Sequence, residues 1–451
     1  MKLTRRKFIA GITAGAGLLL PRSKTVSAFQ LKPKPTRPNV IFILADDLGW
    51  GDLSCYGRPD YKTPNLDRLA AQGVRFTDAY SASAVCTPTR CGFITGRYPA
   101  RLKIGLLEPL PATNHQVGLD PQHPTVASLL KGSRYETALL GKWHLGFRPE
   151  WGPNAHGFDE FFGILAGAGD YHQHKNGLGE PDLYENLTPV EKNGYLTDLL
   201  TQRAVDYIKR RRTAPFYLSL HYTAPHWPWQ DRKGGERVVF NKNTIEPRAM
   251  SRGGSLKLYT EMMRSLDEGV GEVMRALKSA GLERNTLIIF TSDNGGERFS
   301  YQWPFSGEKG ELLEGGIRVP AIVRWPTIIP PKRITSQMAI SMDWTATILA
   351  AANTPADPGH ALDGTDLLPI IKGASPVHDR TFFWRIYDQD AVRQGKWKYV
   401  RTGTQRQLFD LSVDQREKSD FSLTNPDVLE RLTAEFDKWN RQMLPRMPTR
   451  T

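Results

Sequence analysis

Cysteine is scarce in this chain: 451 residues carry only Cys55, Cys86 and Cys91. Three thiols cannot build the disulfide framework that staples small secreted domains, so stability must come from a packed core. Long apolar runs are missing as well. No stretch reaches the roughly 20 residues that a membrane-spanning helix needs. There is no internal repeat, which removes solenoids and propellers. No long Lys/Arg block or RNA-type aromatic motif occurs, which argues against nucleic acid as a partner. What is present, 39% hydrophobic and 24% charged residues, has the balance of a soluble globular protein. The length suits two domains, or one large α/β domain with an appendage.

Residues 1–28 read as a signal peptide. They open with basic residues, continue with a short apolar stretch from Phe8 to Leu20 and end on Val26-Ser27-Ala28. The run Thr4-Arg5-Arg6-Lys7-Phe8-Ile9 resembles a twin-arginine export signal. It predicts a bacterial protein carried out folded by the twin-arginine machinery, to the periplasm or beyond. The segment holds six basic residues and no acids, so without it the formal charge falls from +13 to +7. A moderately basic protein suits an anionic substrate, and equally ordinary solubility. In an oxidising periplasm Cys55 and Cys91 have the option to pair; two buried free thiols are the equal alternative.

After a Pro/Lys-rich linker, "VIFILADD" opens with an unbroken β-branched run, the pattern of a strand buried on both faces of a parallel sheet. The form recurs in "YETALLGKWH", "PFYLSLHYTAPH", "TLIIFTSDNGG" and "RVPAIVRWP". Helical patterns lie between. "TPNLDRLAAQG" is expected to be capped by Thr63, to carry Pro64 in its first turn and to close on Gly73. Residues 195–211 form another helix. From Leu256 to Leu277, Leu258, Met262, Leu266, Val270, Val273 and Leu277 share one face. The fold class is therefore α/β, a large mostly parallel sheet flanked by helices. From residue 376 short strands in series and a closing helix predict a smaller antiparallel sheet plus helix. The expected division is 1–28, 29–375 and 376–451. Residues 165–194 and 227–255 read as long loops of the kind that serve function.

Chemistry gathers at the strand ends, where open α/β sheets bind ligands. One apolar run ends in Asp46-Asp47 and another in Asp293-Asn294; two more lead to Lys142 and His144, and to His226. Three carboxylates and an amide oxygen make a hard-cation set suited to Ca²⁺ or Mg²⁺ rather than Zn²⁺. Cys86 falls near the N-terminus of a helix that has Pro88 in its first turn. Such an end attracts oxyanions, and Arg90 follows one turn on. A soft thiolate matches a hard cation poorly. Either Cys86 is a plain nucleophile away from the metal, or it does not remain cysteine.

"Cys86-Thr87-Pro88-Thr89-Arg90" followed by "Thr95-Gly96-Arg97" resembles the signature of the type I sulfatases, members of the alkaline phosphatase superfamily. Six motifs follow the family's order, among them "ADDLGWGDLSCYG", "GKWHLG", "HYTAPHWPW", "TSDNGG" and "GEKGELLEGGIRVP". The likeness is to arylsulfatases and N-acetylgalactosamine-6-sulfatases. It implies an alkaline-phosphatase-like fold and conversion of Cys86 to formylglycine by a maturation enzyme. The hydrate would attack sulfur and form a covalent sulfo-enzyme intermediate. The resemblance also implies one Ca²⁺ on Asp46, Asp47, Asp293, Asn294 and a residue-86 oxygen, with Arg90 holding the hydrate. Lys142 and Lys309 would grip sulfate, His226 with Lys309 would protonate the leaving alcohol, and His144 would deprotonate the second hydroxyl. The family's sulfate-contacting serine has no counterpart in "ILAGAGDYHQH".

His172 and His174 read as plain loop residues, Trp227 and Trp229 as sugar-stacking or loop-packing, and Glu314 and Arg318 as structure around Lys309. A sulfated saccharide is the expected substrate. The competing readings are a phosphodiesterase or phosphonate monoester hydrolase of the same superfamily, and a sulfated-glycan binding protein without turnover.

Overall fold

Alternating β-branched runs and amphipathic helices build a ten-stranded mixed sheet. The computed structural model describes residues 37–235 and 253–447. The expected signal peptide, its linker and part of the 227–255 loop lie outside the described residues. In chain order the strands begin with β1 (Asn39–Ala45), β2 (Val74–Phe76), β3 (Ala79–Tyr80), β4 (Glu136–Gly141) and β5 (Glu160–Gly163). Next come β6 (Tyr184–Glu185), β7 (Thr188–Pro189), β8 (Phe216–His221), β9 (Thr286–Ser292), β10 (Ala321–Arg324), β11 (Arg333–Thr335) and β12 (Ala339–Ile340). The sheet runs β11-β2-β10-β9-β1-β8-β4-β5-β6-β7, and β3 pairs with β12 apart from it.

The centre of the sheet is parallel. β1 pairs with β8 and β9, β4 with β8 and β5, all in parallel. The unbroken apolar character of β1 follows from its two covered faces. Ile41, Ile43 and Ala45 enter one core with the helices Leu196–Lys209 and Leu256–Ser279. Val40, Phe42 and Leu44 enter another with the helices Cys86–Thr95 and Ser341–Ala351. In the long helix Met262, Leu266, Val270, Val273 and Leu277 are fully buried, and Leu258 is partly buried against them. Among the described residues no helix is long and apolar enough to cross a membrane.

Three details depart from expectation, and one choice left open is decided. "PAIVR", expected as a parallel strand, is β10, antiparallel to β9 and β2. Between Ser292 and Ala321 the chain forms one helical turn, Glu314–Ile317, too short for a crossover, so it returns in the opposite sense. Thr63 makes no side-chain cap on the helix Pro64–Ala71. The Asp267 carboxylate instead accepts from the free N–H groups of Asn65 (3.0 Å) and Leu66 (2.8 Å). The 165–194 loop carries the short β6–β7 hairpin at the sheet's edge. Cys55 and Cys91 are both free thiols.

Near the C-terminus β13 (Thr381–Ile386), β14 (Gln389–Gln394), β15 (Trp397–Thr402) and β16 (Gln405–Asp410) form an antiparallel meander. The helix Pro426–Asn440 covers it through Leu432 and Phe436. Trp384, Val392 and Leu408 share a core with Tyr80, Val85 and Tyr98, so the meander rests beside the start of the Cys86–Thr95 helix.

Candidate active site

The order β9-β1-β8-β4 sets four parallel carboxyl ends side by side. Asp46 and Asp47 follow β1, Asp293 and Asn294 follow β9, Lys142 and His144 follow β4, and His226 lies five residues past β8. Cys86, the first residue of its helix, faces them. Its Sγ lies 3.5 Å from Asp46 Oδ1 and 3.8 Å from Asp47 Oδ1. Ligand atoms of Asp46, Asp47, Cys86 and His226 all fall within 4.8 Å of one another, and all four residues are buried. Asp293 and Asn294 join through Asp47: its N–H donates to Asp293 Oδ1 (3.1 Å) and Asn294 Nδ2 donates to its Oδ1 (2.7 Å).

Cations surround these acids. Arg90, 1% exposed, donates to Asp293 Oδ2 from Nε (3.0 Å) and from a terminal nitrogen (2.8 Å), and lies 3.5 Å from Asp46. Lys142 Nζ sits on both Asp46 oxygens at 2.8 and 2.6 Å. Lys309 Nζ reaches Asp47 Oδ2 at 2.5 Å from the loop after β9. Burial raises the Asp46 carboxyl above its ordinary range, against the pull of Lys142 and Arg90. Burial pushes Asp293 up too, but Arg90 and Lys142 leave it lowered; Lys309 likewise holds Asp47 down against burial. Burial drives the Cys86 thiol well above its ordinary value, against the pull of Lys142 and Lys309.

The imidazoles are neutral, each for a physical reason. Burial, then Lys142, lowers His144 well below the ordinary histidine range. Its Nε2 lies 2.9 Å from the Leu110 carbonyl, which only accepts, so Nε2 carries the proton. Nδ1 is then a lone-pair acceptor, buried without a partner. Burial, then Lys309, brings His226 down to about 3. Its Nδ1 donates to the Trp227 carbonyl at 2.5 Å, and its Nε2 lies 3.5 Å from Asp47 Oδ2. His144 and Asp47 both hold left-handed backbone, φ 59° each, a strain that marks functional turns.

A cavity of about 340 Å³ opens above the cluster, lined by Cys86, His144, His226, Trp227, Lys309 and an apolar wall that includes Leu110, Pro111, Ala166 and Leu178. Trp227 stacks at a tilt on His226, 4.3 Å between centroids. Trp229 is buried against Phe299 and packs the loop. His172 and His174 lie against the carbonyls of Asp231 and Gly194. Glu314 and Arg318 belong to a buried ion cluster with Asp78, Arg393 and Lys398 behind the Lys309 loop.

Sequence reasoning missed His221. Its Nδ1 and one Arg90 nitrogen both donate to the Lys142 carbonyl, at 3.1 and 3.0 Å. Ser219 Oγ donates to its Nε2 at 2.7 Å, and Tyr217 donates to Ser219. Thr87 was also missed; it donates to the His144 carbonyl and accepts from Leu110 N–H. For His221 the available signal was a polar residue at the end of an apolar strand.

A parallel α/β sheet with acids and lysines at its carboxyl edge, facing an anion-ready helix N-terminus, defines a hydrolase of the alkaline-phosphatase-like class. The sulfatase family model matches residues 38–354, and the model for the C-terminal region of N-sulphoglucosamine sulphohydrolase matches residues 307–439. The N-acetylgalactosamine-6-sulfatase of Canis lupus familiaris is 30% identical over 507 residues, covering 98% of this chain and 93% of its own. That of Sus scrofa is 34% identical, covering 81% and 72%. The crystal structure of Ps i-CgsB in complex with k-i-k-neocarrahexaose aligns at a TM-score of 0.81 with 33% identity, covering 91% and 94%. The phosphonate monoester hydrolase of Agrobacterium radiobacter shares the fold at 0.62 and 20% identity, covering 90% and 95%. The chain belongs to the sulfatase family. It is a sulfuric ester hydrolase.

Proposed function

We propose that this enzyme removes sulfate from a sulfated saccharide, with Cys86 converted to formylglycine and a Ca²⁺ held by Asp46, Asp47, Asp293 and Asn294. The observation that carries the reading is the buried Cys86 Sγ at 3.5 and 3.8 Å from two carboxylates. Burial keeps that thiol protonated, and a protonated thiol is a poor nucleophile. An aldehyde hydrate in its place brings an oxygen nucleophile and an oxygen ligand. The donor set fits a hard cation: it is rich in oxygen, and Asn294 Oδ1 is buried without a hydrogen-bond partner. A bound Ca²⁺ would acidify the hydrate and offset the sulfate's charge.

The chain's own residues divide the remaining work. Arg90 fixes Asp293, and together with His221 it anchors the Lys142 carbonyl. Lys142 and Lys309 grip sulfate oxygens as charge builds on them. One hydrate oxygen, its proton already passed to solvent, would attack sulfur as the S–O bond to the alcohol breaks. The alcohol leaves with a proton from charged Lys309, and the hydroxyl so formed donates to the lone pair on His226 Nε2. His144 Nδ1, its lone pair free, accepts the proton of the second hydroxyl. The C–O bond to sulfate would then break, releasing sulfate and restoring the aldehyde for rehydration.

Trp227 offers the cavity a flat apolar face suited to the C–H face of a sugar ring. The N-acetylgalactosamine-6-sulfatases and the oligosaccharide complex of Ps i-CgsB support a saccharide substrate. The reading includes export by the twin-arginine machinery and maturation by a formylglycine-generating enzyme. The test is matured protein against position-defined sulfated mono- and oligosaccharides, beside an aryl phosphate and a phosphodiester. Sulfate release from at least one saccharide is expected. A higher kcat/KM on the phosphodiester would overturn the reading in favour of the phosphonate and phosphodiester branch.

A further inference from the structure

The β13–β14 hairpin lies far along the chain from the strand ends, yet it touches the loop that delivers Lys309. That loop folds closely on itself at Gly307, where a Cβ would meet Leu313 Cβ at 2.7 Å, but not at the residue that follows Lys309. Gly307 and Gly310 hold positive φ, 86° and 89°. A Cβ placed on Gly310 would meet nothing within 4 Å, so close packing does not fix the residue next to Lys309. Hydrogen bonds fix it instead. Lys309 N–H donates to the Gly296 carbonyl (3.0 Å), and Gly310 N–H to the Ala84 carbonyl (2.9 Å), two residues before Cys86.

Beyond the loop's own turn bonds, such as Glu311 N–H to the Glu308 carbonyl (3.0 Å), two more come from one distant side chain, the first residue of β14. Gln389 Nε2 donates to the Gly310 carbonyl at 2.9 Å, and Gln389 Oε1 accepts from Leu312 N–H at 3.0 Å. A primary amide matches this pair of groups because it carries a donor and an acceptor side by side. Arg446 donates to the Gln389 carbonyl at 3.3 Å and ties down the hairpin. Past the clamp the chain is anchored independently: Glu314 takes hydrogen bonds from Tyr80 (2.7 Å), Arg318 (3.0 Å) and Lys398 (3.0 Å). Loss of the clamp therefore releases the short span around Lys309 and leaves the fold on either side in place.

We infer that Gln389 is a positioning residue for the sulfatase reaction: it holds Lys309 Nζ over Asp47 by clamping Gly310 and Leu312, and so makes the C-terminal sheet part of the catalytic apparatus. The inference rests on the role proposed above for Lys309. A displacement of about 1 Å in a charged group that meets the transition state costs on the order of a hundredfold in rate.

A double-mutant cycle on matured full-length enzyme, with para-nitrophenyl sulfate as probe, tests it. Gln389→Met deletes both bonds at similar side-chain length. It is expected to lower kcat/KM about 10- to 100-fold in the otherwise native enzyme, and by less than about twofold in a Lys309→Ala background, because the group it positions is then gone. Gln389→Glu keeps the acceptor for Leu312 and loses the donor for Gly310, so its rate should fall between native and Gln389→Met. It also serves if Gln389→Met fails to fold. The same factor of loss in both backgrounds would overturn the inference, as would a native rate in Gln389→Met. A native rate in Lys309→Ala alone would refute the role of Lys309 itself, and the inference with it.

Discussion

Arg90→Met keeps the apolar stem of the side chain and deletes its charge. The guanidinium gives two hydrogen bonds to Asp293, at 3.0 and 2.8 Å, with both side chains essentially sealed from water. Breaking a buried ion pair from one side costs about 3–5 kcal/mol, because the surviving charge stays desolvated without its partner. The Lys142 carbonyl loses its bond from Arg90 but keeps the one from His221, so it adds little. The expected loss of unfolding free energy at neutral pH is thus about 3–5 kcal/mol. Its pH dependence has a definite sign. Asp293 is held below its ordinary range in the native state. A depressed acid stabilises the fold above its unfolded pKa, about 4, and that contribution disappears as pH falls through the native value. The gap between native enzyme and variant should therefore be full at neutral pH and narrow in acid. Urea unfolding of both proteins in metal-free buffer, at neutral pH and below pH about 4, measures it. A neutral-pH loss under about 1 kcal/mol, or a gap that ignores acidification, would refute the reasoning.

Cys86→Ala should abolish turnover on every sulfate ester while the thermal midpoint stays within a few degrees; retained activity would remove position 86 from the mechanism. Ca²⁺ should raise the midpoint of the chelator-treated protein, by the equivalent of about 4 kcal/mol at a thousandfold excess over Kd, and Asp47→Asn should blunt the rise. His156 is buried on Trp143, and burial pushes it down to about 4. The unfolded chain binds its proton first as pH falls from about 6.5, so stability drops through the window down to 4 by about 3 kcal/mol. His156→Phe should flatten that acid limb in denaturant titrations, and an unchanged limb would exclude His156 as its source. Trp227→Ala should raise KM for a sulfated oligosaccharide several-fold more than for para-nitrophenyl sulfate; equal effects on both would deny it a sugar-binding role.

The parts of this site that were legible in the sequence are those that a short segment writes for itself. An apolar run that stops at Asp46-Asp47 or Asp293-Asn294 announces a strand end with acids. Pro88 and Gly96 bracket a helix that begins at Cys86, as the structure has it. The central parallel strands and the C-terminal meander followed from the same local patterns. What stayed hidden depends on contacts between distant segments. Asp267 caps a helix about two hundred residues earlier, and nothing near Thr63 records that its hydroxyl serves Ser54 and Asp67 instead. β10 reverses direction because the connection before it lacks a crossover helix, a fact about loop length rather than strand composition. His221 hides at the end of an apolar strand, and the Gln389 clamp spans 79 positions to Gly310.

The central claim is that the side chain at position 86 works through oxygen. Mass spectrometry of the peptide spanning residue 86, taken from enzyme matured in its native host and assayed for turnover in the same preparation, tests it most directly. The account predicts a peptide lighter by the exchange of the thiol-bearing CH2SH group for an aldehyde, in proportion to specific activity. A fully active preparation with an intact thiol at Cys86 would contradict it.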